Sequence, residues 1–348
     1  MGNLLEYSGI VTKLKAMEAK LLTEHQFEEI ANLGTVPEVA EYLRKNSSYA
    51  EVLDTLSDEQ LHRGNIEKVL VQSLYHDYTK IYRFCGQKQR KFMNLLMKHY
   101  EVELINYCLR IVINHYKQPF DLHYKKDFFD RYSQISIDKL IMSRTTDELV
   151  ENLKGTEYYE PLVKIKDSQH VTLYDYNLAL DLHSISAIWK ERKRKLCKSD
   201  IEIFTRDYGA KIDLLNLQWI YRAKKYYSMK PADIYRMLIP IHCKLSTDLI
   251  KEMAEAPGLE EFLNVVERTS YARHYDFKQN HTMEQMNEEC LHRLYTIDRR
   301  RNPYSIASVN TYFFLKEEEL RKLTTVMECI RYSLTPGETL AYIGGGTR

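Results

Sequence analysis

The sequence predicts an all-α protein built from three similar helical modules. Glycine and proline are scarce, with 12 and 8 residues in a chain of 348, and this disfavours the many turns of an all-β fold. Long stretches place apolar residues three or four positions apart, which is the spacing of a helix with one buried face. Two landmarks also recur in the same order along the chain, and this repetition predicts the modules.

The first landmark is a short helix with a defined start. Thr35 and Thr145 stand 110 positions apart, and each is followed three positions later by a glutamate, Glu38 or Glu148. Residues at this spacing form a capping box, in which each side chain accepts a hydrogen bond from the other residue's backbone N–H. A weaker third copy, which lacks the glutamate, begins at Thr247. The pattern therefore predicts three equivalent helix starts.

The second landmark is an acidic residue in a long helix, with a tyrosine thirteen positions later and a proline soon after. The three sets are Glu103, Tyr116 and Pro119; Asp213, Tyr226 and Pro231; and Glu319, Tyr332 and Pro336. Proline disfavours the helical state in the residue before it, so each proline is predicted to end a long helix. In the last copy Thr335-Pro336-Gly337-Glu338 is also predicted to open a new helix, with Thr335 as the cap, Pro336 at the first position and Glu338 completing a capping box. These landmarks predict modules at residues 1–120, 121–231 and 232–343, followed by a glycine-rich flexible tail at 344–348.

The segment 212–221 predicts a central, buried helix because seven of its ten residues are apolar and surround the helix axis. Asp213 and Asn216 lie on one face of this helix, and a buried carboxylate is costly unless it is hydrogen-bonded. Direct contact with a partner is the alternative interpretation. We expect the polar residues at these repeated positions to tie helices together, namely Glu103, Asn106, Asp213, Asn216 and Glu319.

The balance of charge argues against nucleic acid as a partner. The chain has 50 basic and 49 acidic residues, whereas nucleic-acid-binding proteins usually show a basic excess. Two local basic runs have two interpretations. They are either solvated helix ends or surfaces that face an acidic protein or anionic lipid. The partner-binding candidates in these runs are Arg192, Lys193, Arg194, Arg299, Arg300 and Arg301.

No catalytic site is predicted. The six cysteines form no C-x-x-C pair, and the sequence contains no phosphate-binding GxxxxGK[ST] loop, GxGxxG, HExxH or GxSxG motif. His76-Asp77 and the pair Asp127 and Asp130 lack the further ligands that a metal site needs. We therefore expect no metal, no cofactor and free thiols. The first residues do not resemble a signal peptide, and no apolar run reaches the roughly 20 residues of a membrane span.

Three segments carry a resemblance to a known family, the C subunits of the bacterial and archaeal V/A-type rotary ATPases, which are relatives of the d subunit of eukaryotic V-ATPases. The run Arg301-Asn302-Pro303-Tyr304-Ser305-Ile306-Ala307, continued by Glu319-Leu320-Arg321-Lys322-Leu323, resembles the family's C-terminal signature. Asp213-Leu214-Leu215-Asn216-Leu217 resembles its middle module, and the opening helix with Tyr7, Met17 and Leu21 is similar as well.

The resemblance implies three modules around a pseudo-threefold axis, which together form a funnel. It implies a non-catalytic rotor subunit whose partners are the central stalk subunits D and F and the proteolipid (c/K) ring. Such a subunit lies peripherally on the cytoplasmic face of the membrane and couples ATP turnover to H+ or Na+ transport. A helical scaffold unrelated to rotary ATPases and an enzyme remain the alternatives.

Overall fold

The computed structural model describes residues 2–116, 120–166, 171–274 and 282–344. Across these residues the regular secondary structure is helical and contains no β-strand, which confirms the all-α prediction. The eighteen α-helices of the described residues are α1 (Gly2–Glu18), α2 (Glu24–Ala31), α3 (Val36–Asn46), α4 (Ala50–Leu53), α5 (Arg63–Phe84), α6 (Gln87–Ile113), α7 (Lys126–Tyr132), α8 (Ile137–Met142), α9 (Thr146–Asn152), α10 (Tyr159–Lys166), α11 (Leu173–Lys195), α12 (Lys198–Tyr226), α13 (Pro231–Met237), α14 (Thr247–Glu255), α15 (Leu259–Glu267), α16 (Met283–Arg301), α17 (Ile306–Arg331) and α18 (Pro336–Tyr342). Three short 3-10 helices lie at Asp58–Gln60, His123–Lys125 and Ala272–His274.

The chain divides into two compact units. The first unit combines residues 1–86 with residues 299–348, so it contains both ends of the chain. The second unit runs from 87 to 298. The first boundary lies between α5 and α6, and the second lies inside α16, near its end. The three-module division stays a prediction, and the local repeats described below bear on it.

The first unit is organised by α1, α5 and α17, which pack against one another. Its core is aromatic, and the rings of Tyr78 and Phe313 lie 5.8 Å apart. Tyr7, Ile10 and Leu14 present a buried face of α1 at three- and four-residue spacing. The short helices α2, α3 and α18 also pack against α17. The last long helix is therefore the centre of this unit.

The second unit contains two long helices that neighbouring helices cover. Helix α6 packs along α11, and α12 packs against α13 and α15. Ala210, Leu214, Leu217 and Ile220 of α12 are almost fully buried. The prediction of a central, buried helix over 212–221 is therefore confirmed.

The predicted caps are present in two of the three copies. Thr35 forms the full capping box with Glu38. Thr145 accepts from the N–H of Glu148, whose carboxylate in turn accepts from the N–H of Arg144 at 2.8 Å. The third helix starts one residue earlier than predicted. Its cap is Ser246, and Thr247 is its first residue.

The long helices do not end at the prolines, which is a correction to the sequence analysis. The positive-φ non-glycine residues of the described part are His115, Ser228 and Ser333, and each follows the end of α6, α12 or α17. A left-handed residue at this position turns the chain away from the helix axis. Pro231 and Pro336 open α13 and α18 at the first helical position, where the missing N–H costs nothing. The predicted helix start at Thr335 and Pro336, with its capping box to Glu338, is confirmed. Pro119, Gly345 and Gly346 lie outside the described residues.

Candidate functional site

The most completely satisfied of the predicted ties is Asp213, which is fully buried in α12. Its carboxylate accepts hydrogen bonds from three consecutive backbone N–H groups in the loop before α14, and from a tyrosine hydroxyl. The donors are Cys243 at 3.1 Å, Lys244 at 2.6 Å, Leu245 at 3.2 Å and the hydroxyl of Tyr271 at 2.8 Å. Four donors compensate the loss of water around a buried carboxylate. Burial beside this charge raises the pKa of Tyr271, which keeps its hydroxyl protonated as a donor.

Asn216 lies one turn further along the same helix and is also fully buried. Its side-chain amide donates to the carbonyl of Ile239 at 3.0 Å, and its oxygen accepts from the N–H of the same residue at 2.9 Å. Both backbone polar groups of Ile239 are thereby satisfied inside the protein. Asp213 and Asn216 together fix the loop between α13 and α14 to the central helix, as the sequence predicted.

Glu319 forms the corresponding tie in the first unit. Its carboxylate accepts from the hydroxyl of Tyr49 and from the backbone N–H of Leu22. The ammonium of Lys316 lies 3.1 Å from the same carboxylate and 2.6 Å from the hydroxyl of Tyr49. The side chains of Glu319 and Lys316 are each less than a twentieth exposed. A buried charge pair of this kind needs additional hydrogen bonds, and Tyr49 and Leu22 supply them.

The equivalent tie on α6 is made by Glu101, two residues before the predicted Glu103. The carboxylate of Glu101 accepts from the hydroxyl of Tyr158 at 2.7 Å and from the hydroxyl of Ser133. Burial raises the pKa of Glu101 above its usual range. Glu103 is exposed and lies 3.3 Å from the ring nitrogen of His99 on its own helix. The repeated acid of the first copy is therefore Glu101.

The three ties share one arrangement. In each, an acid on a long helix holds the loop before a set of short helices and also a tyrosine after that set. A hydroxyl residue stands two positions before each tyrosine and bonds back to the preceding turn, as Ser47, Thr156 and Thr269 show. The acid comes from the long helix that precedes the short helices in chain order, and the first set is served by α17 at the end of the chain. This local repetition supports the prediction of three related modules.

Sequence reasoning missed the tyrosines of these ties. In the second set the buried partner is Tyr158, and the next residue, Tyr159, donates to Glu151 near the surface. The signal was a serine or threonine two positions before a tyrosine, just after each capped helix. A second signal was a lysine three positions before the acid, since Lys98 and Lys316 both occupy that position.

Asn106 of α6 lies near a carboxylate of α11 that the sequence did not identify. Its side-chain amide donates to the carboxylate of Asp181, a residue of α11. Burial nevertheless raises the pKa of Asp181 to about 6. The hydrogen bond favours the charged form and offsets part of this effect. This contact lies along the helix pair that packs most extensively in the second unit.

Arg192 is not a surface residue, and this corrects its prediction as a partner-binding group. Its guanidinium lies 3.5 Å from the ring centre of Trp189 and donates to the hydroxyl of Thr205 at 3.1 Å. It also donates to the carbonyl of Trp189. A guanidinium is planar and weakly hydrated, so it stacks on an aromatic ring at a lower cost than an ammonium would. Burial lowers the pKa of Arg192.

Lys193 and Arg194, the next two residues, are exposed. Arg194 lies 3.3 Å from the carboxylate of Glu191, although its side chain is 77% exposed. An ion pair this open to water contributes little to stability and is easily exchanged for another partner. Partner binding by these two residues stays a prediction.

The second basic run is divided in the same way. Arg299 places one guanidinium nitrogen 2.6 Å from both carboxylate oxygens of Glu18 and so ties the end of α16 to α1. Arg300 and Arg301 are exposed. Thus Arg299 has a structural role within the first unit, and its two neighbours are the surface cations of this run.

The described residues contain neither a metal-binding cluster nor a membrane-spanning helix. No group of three or more His, Cys, Asp or Glu side chains among them is placed to hold a metal ion. None of the helices in the described ranges combines the length and the apolar character needed to cross a bilayer.

Comparison with known proteins gives one family. The model of the ATP synthase (C/AC39) subunit family matches residues 10–342. A relative from Thermococcus kodakarensis, described as the C subunit of an A-type ATP synthase, is 26% identical over 97% of this chain and 90% of its own length. The protein of the same description from Pyrococcus horikoshii is 25% identical over the same shares. A third, from Methanosarcina mazei, is 26% identical over 76% of this chain and 71% of its own.

Proposed function

Because the chain belongs to the ATP synthase (C/AC39) subunit family, we propose that it is a non-catalytic rotor subunit of a V/A-type ATPase. In this role it is a socket between the central stalk, subunits D and F, and the proteolipid ring. It couples ATP hydrolysis or synthesis to H+ or Na+ transport from the cytoplasmic face of the membrane. The observation that carries the proposal is the family match over residues 10–342.

The buried ties support a part that transmits torque. A rotor subunit must turn as a stiff body, so its helices must resist sliding past one another. Asp213 and Glu319 hold loops and tyrosines by several hydrogen bonds each, in buried surroundings where such bonds are strong. Any sliding of α12 or α17 would break several of these bonds together. The polar groups of the interior are thus used for rigidity.

Contact with the partners is expected to be polar and reversible. Lys193, Arg194, Arg300 and Arg301 are exposed cations at helix ends. Charged contacts increase the rate and specificity of association and weaken with salt. We propose that these four residues contribute to attachment, while Arg192 and Arg299 act within the fold.

Native mass spectrometry of complexes extracted in mild detergent tests this assignment, with the chain as the tagged component. The shaft subunits and the proteolipid ring should be recovered with it at low salt and lost at high salt. The double variant Lys193→Glu/Arg194→Glu should release its partners at lower salt than the wild type. A matched reversal at two other exposed cations, Arg236→Glu/Lys251→Glu, should leave assembly unchanged.

Recovery of the chain without ATPase subunits would contradict the proposed role and favour an unrelated scaffold. Equal loss of partners in both reversal variants would remove Lys193 and Arg194 from the interface. The two variants carry the same change in charge, so a general electrostatic effect appears in both.

A further inference from the structure

The first unit contains a polar cavity of about 110 Å³. Helices α1, α5 and α17 and the chain around α4 enclose it. Its floor is formed by buried residues, Tyr49, Tyr312 and Lys316. A single buried water needs only about 10–15 Å³, so the cavity has room for a small polyatomic ligand with some of its hydration water.

The lining of the cavity carries more positive than negative charge. Four lysines and two acids are among the residues that line it: Lys13, Lys20, Lys80, Lys316, Glu51 and Asp77. The lysines come from α1, the turn that follows it, α5 and α17, and they converge on one space although they are far apart in the sequence. Like charges that line one space repel one another, and an anion between them relieves this repulsion.

The carboxylate of Asp77 and the ammonium of Lys316 already have hydrogen-bond partners within the protein, and this limits what else they can bind. Asp77 accepts from the hydroxyl of Tyr312 at 2.6 Å. The ammonium of Lys316 uses two of its three N–H donors on Tyr49 and Glu319. The third donor of Lys316 remains for a ligand inside the cavity.

The lysines at the mouth of the cavity are less constrained. Lys80 lies 3.8 Å from the carboxylate of Asp77, beyond hydrogen-bond length, and its side chain is 48% exposed. Lys13 is half-buried, with its ammonium 6.0 Å from the ring centre of Phe84. Both side chains are long enough to turn their ammonium groups onto a ligand above the floor.

We propose that this cavity is a binding site for a phosphate-type oxyanion, held by Lys13, Lys80 and the buried ammonium of Lys316. A tetrahedral oxyanion accepts hydrogen bonds on all sides, and it offsets the one positive charge that remains in excess when Glu319, the partner of Lys316, is counted with the lining. A metal cation is disfavoured because lysines outnumber acids among the lining residues. The site does not depend on the rotor role, so either proposal can fail without the other.

Isothermal titration of the full chain with inorganic phosphate, in a phosphate-free buffer of low ionic strength, tests the site. The wild type should bind one phosphate saturably. The variant Lys13→Gln/Lys80→Gln should bind about tenfold or more weakly, since it removes two of the three proposed charge–charge contacts to the anion. Lys198→Gln/Lys251→Gln removes the same charge from exposed lysines outside the cavity and should bind like the wild type.

A second measurement is the thermal midpoint with phosphate, sulfate or chloride at equal ionic strength. Binding to the folded state raises the midpoint, so phosphate and sulfate should raise it in the wild type and in the control but not in the cavity variant. Glycerol 1-phosphate separates two sources of the same chemistry. Weaker binding than inorganic phosphate indicates the free anion, and equal or tighter binding indicates a phosphate ester such as a headgroup.

Absence of saturable binding for both phosphate and glycerol 1-phosphate would overturn the proposal. Equal weakening in the cavity variant and in the surface control would also overturn it, because the effect would then follow net charge alone.

Discussion

At the scale of single residues, the buried carboxylates decide how the short helices are held. Asp213 illustrates the point, since its oxygens face three backbone N–H groups and one hydroxyl. An acceptor so surrounded by donors cannot be exchanged for a group that carries its own hydrogens. The position therefore requires a carboxylate, and another polar side chain does not replace it.

The substitution Tyr271→Phe should lower the free energy of unfolding by about 1.5–3 kcal/mol, because it removes one hydrogen bond to a charged group. Asp213→Asn should cost more, since its NH2 group would face backbone donors. Urea unfolding measures both. Tyr235→Phe is the control, because its hydroxyl donates to Glu255 at the surface, and it should change stability by less than about 0.5 kcal/mol. Equal costs for the two tyrosines would contradict the role of the buried tie.

Asp181 gives a prediction that depends on pH. Its pKa is raised to about 6 in the folded chain from the ordinary value of 3.8. The folded state thus binds a proton at the Asp181 carboxyl more tightly than the unfolded chain does. The stabilisation from this protonation is complete below the ordinary pKa and is lost as the pH rises through about 6. Asp181→Asn should therefore stabilise the protein by on the order of 1–2 kcal/mol near pH 7.5 and by little near pH 3.5. Unfolding at the two pH values checks this, and a difference that does not change with pH would contradict it.

Some of these residues could be predicted from the sequence and others could not. Asp213 and Asn216 were predictable because two polar residues share one face of a strongly apolar helix. Glu101 and Glu103 stand two positions apart on α6, on different faces, and the pattern of acids alone does not say which is buried. Arg192 belongs to a basic run, and only its contact with Trp189 shows that it is covered.

At the scale of elements, the helix boundaries follow local chemistry closely. The capping boxes at Thr35 and Thr335 are set by residues within one turn, so the sequence predicts them. The ends of α6, α12 and α17 were predicted less well. Their left-handed residues are His115, Ser228 and Ser333, and none of them is the glycine that usually marks such an end.

Close packing between elements also reverses an ordinary helix preference. Gly209 lies within α12, where alanine would normally be favoured by about 1 kcal/mol. A Cβ atom at this position would meet the Sγ of Cys243 at 2.7 Å and its Cβ at 2.9 Å. The loop that Asp213 fixes therefore depends on a bare backbone at Gly209.

Gly209→Ala should destabilise the chain by about 1–3 kcal/mol, because either the loop or the helix must shift. Gly9→Ala should stabilise it by about 0.5–1 kcal/mol, since Gly9 lies in α1 and nothing comes within 4 Å of the added Cβ. Thermal unfolding measures the two effects. Stabilisation by both substitutions would mean that the loop with Cys243 is not held against α12.

At the scale of the whole molecule, the local repeats and the compact units give related information. Ties of the same design recur at Glu101, Asp213 and Glu319. Glu101 and Asp213 each hold the short helices that follow them, whereas Glu319 holds the first set, at the other end of the chain, and both ends belong to one unit. The sequence repeat grouped each acid with the short helices before it, whereas the hydrogen bonds join Glu101 and Asp213 to tyrosines after the next short helices. Periodicity along a sequence does not reveal which neighbour each helix packs against.

In the proposed role, this chain couples ATP turnover to ion transport without catalysing either. The direct measurement is ATP hydrolysis and ATP-driven ion uptake by the ATPase complex in sealed vesicles, assembled with and without the chain. We predict that hydrolysis by the catalytic part continues without the chain while ion uptake is lost, and that adding the chain back restores uptake. Uptake that persists without the chain, or hydrolysis that requires it, would contradict the claim.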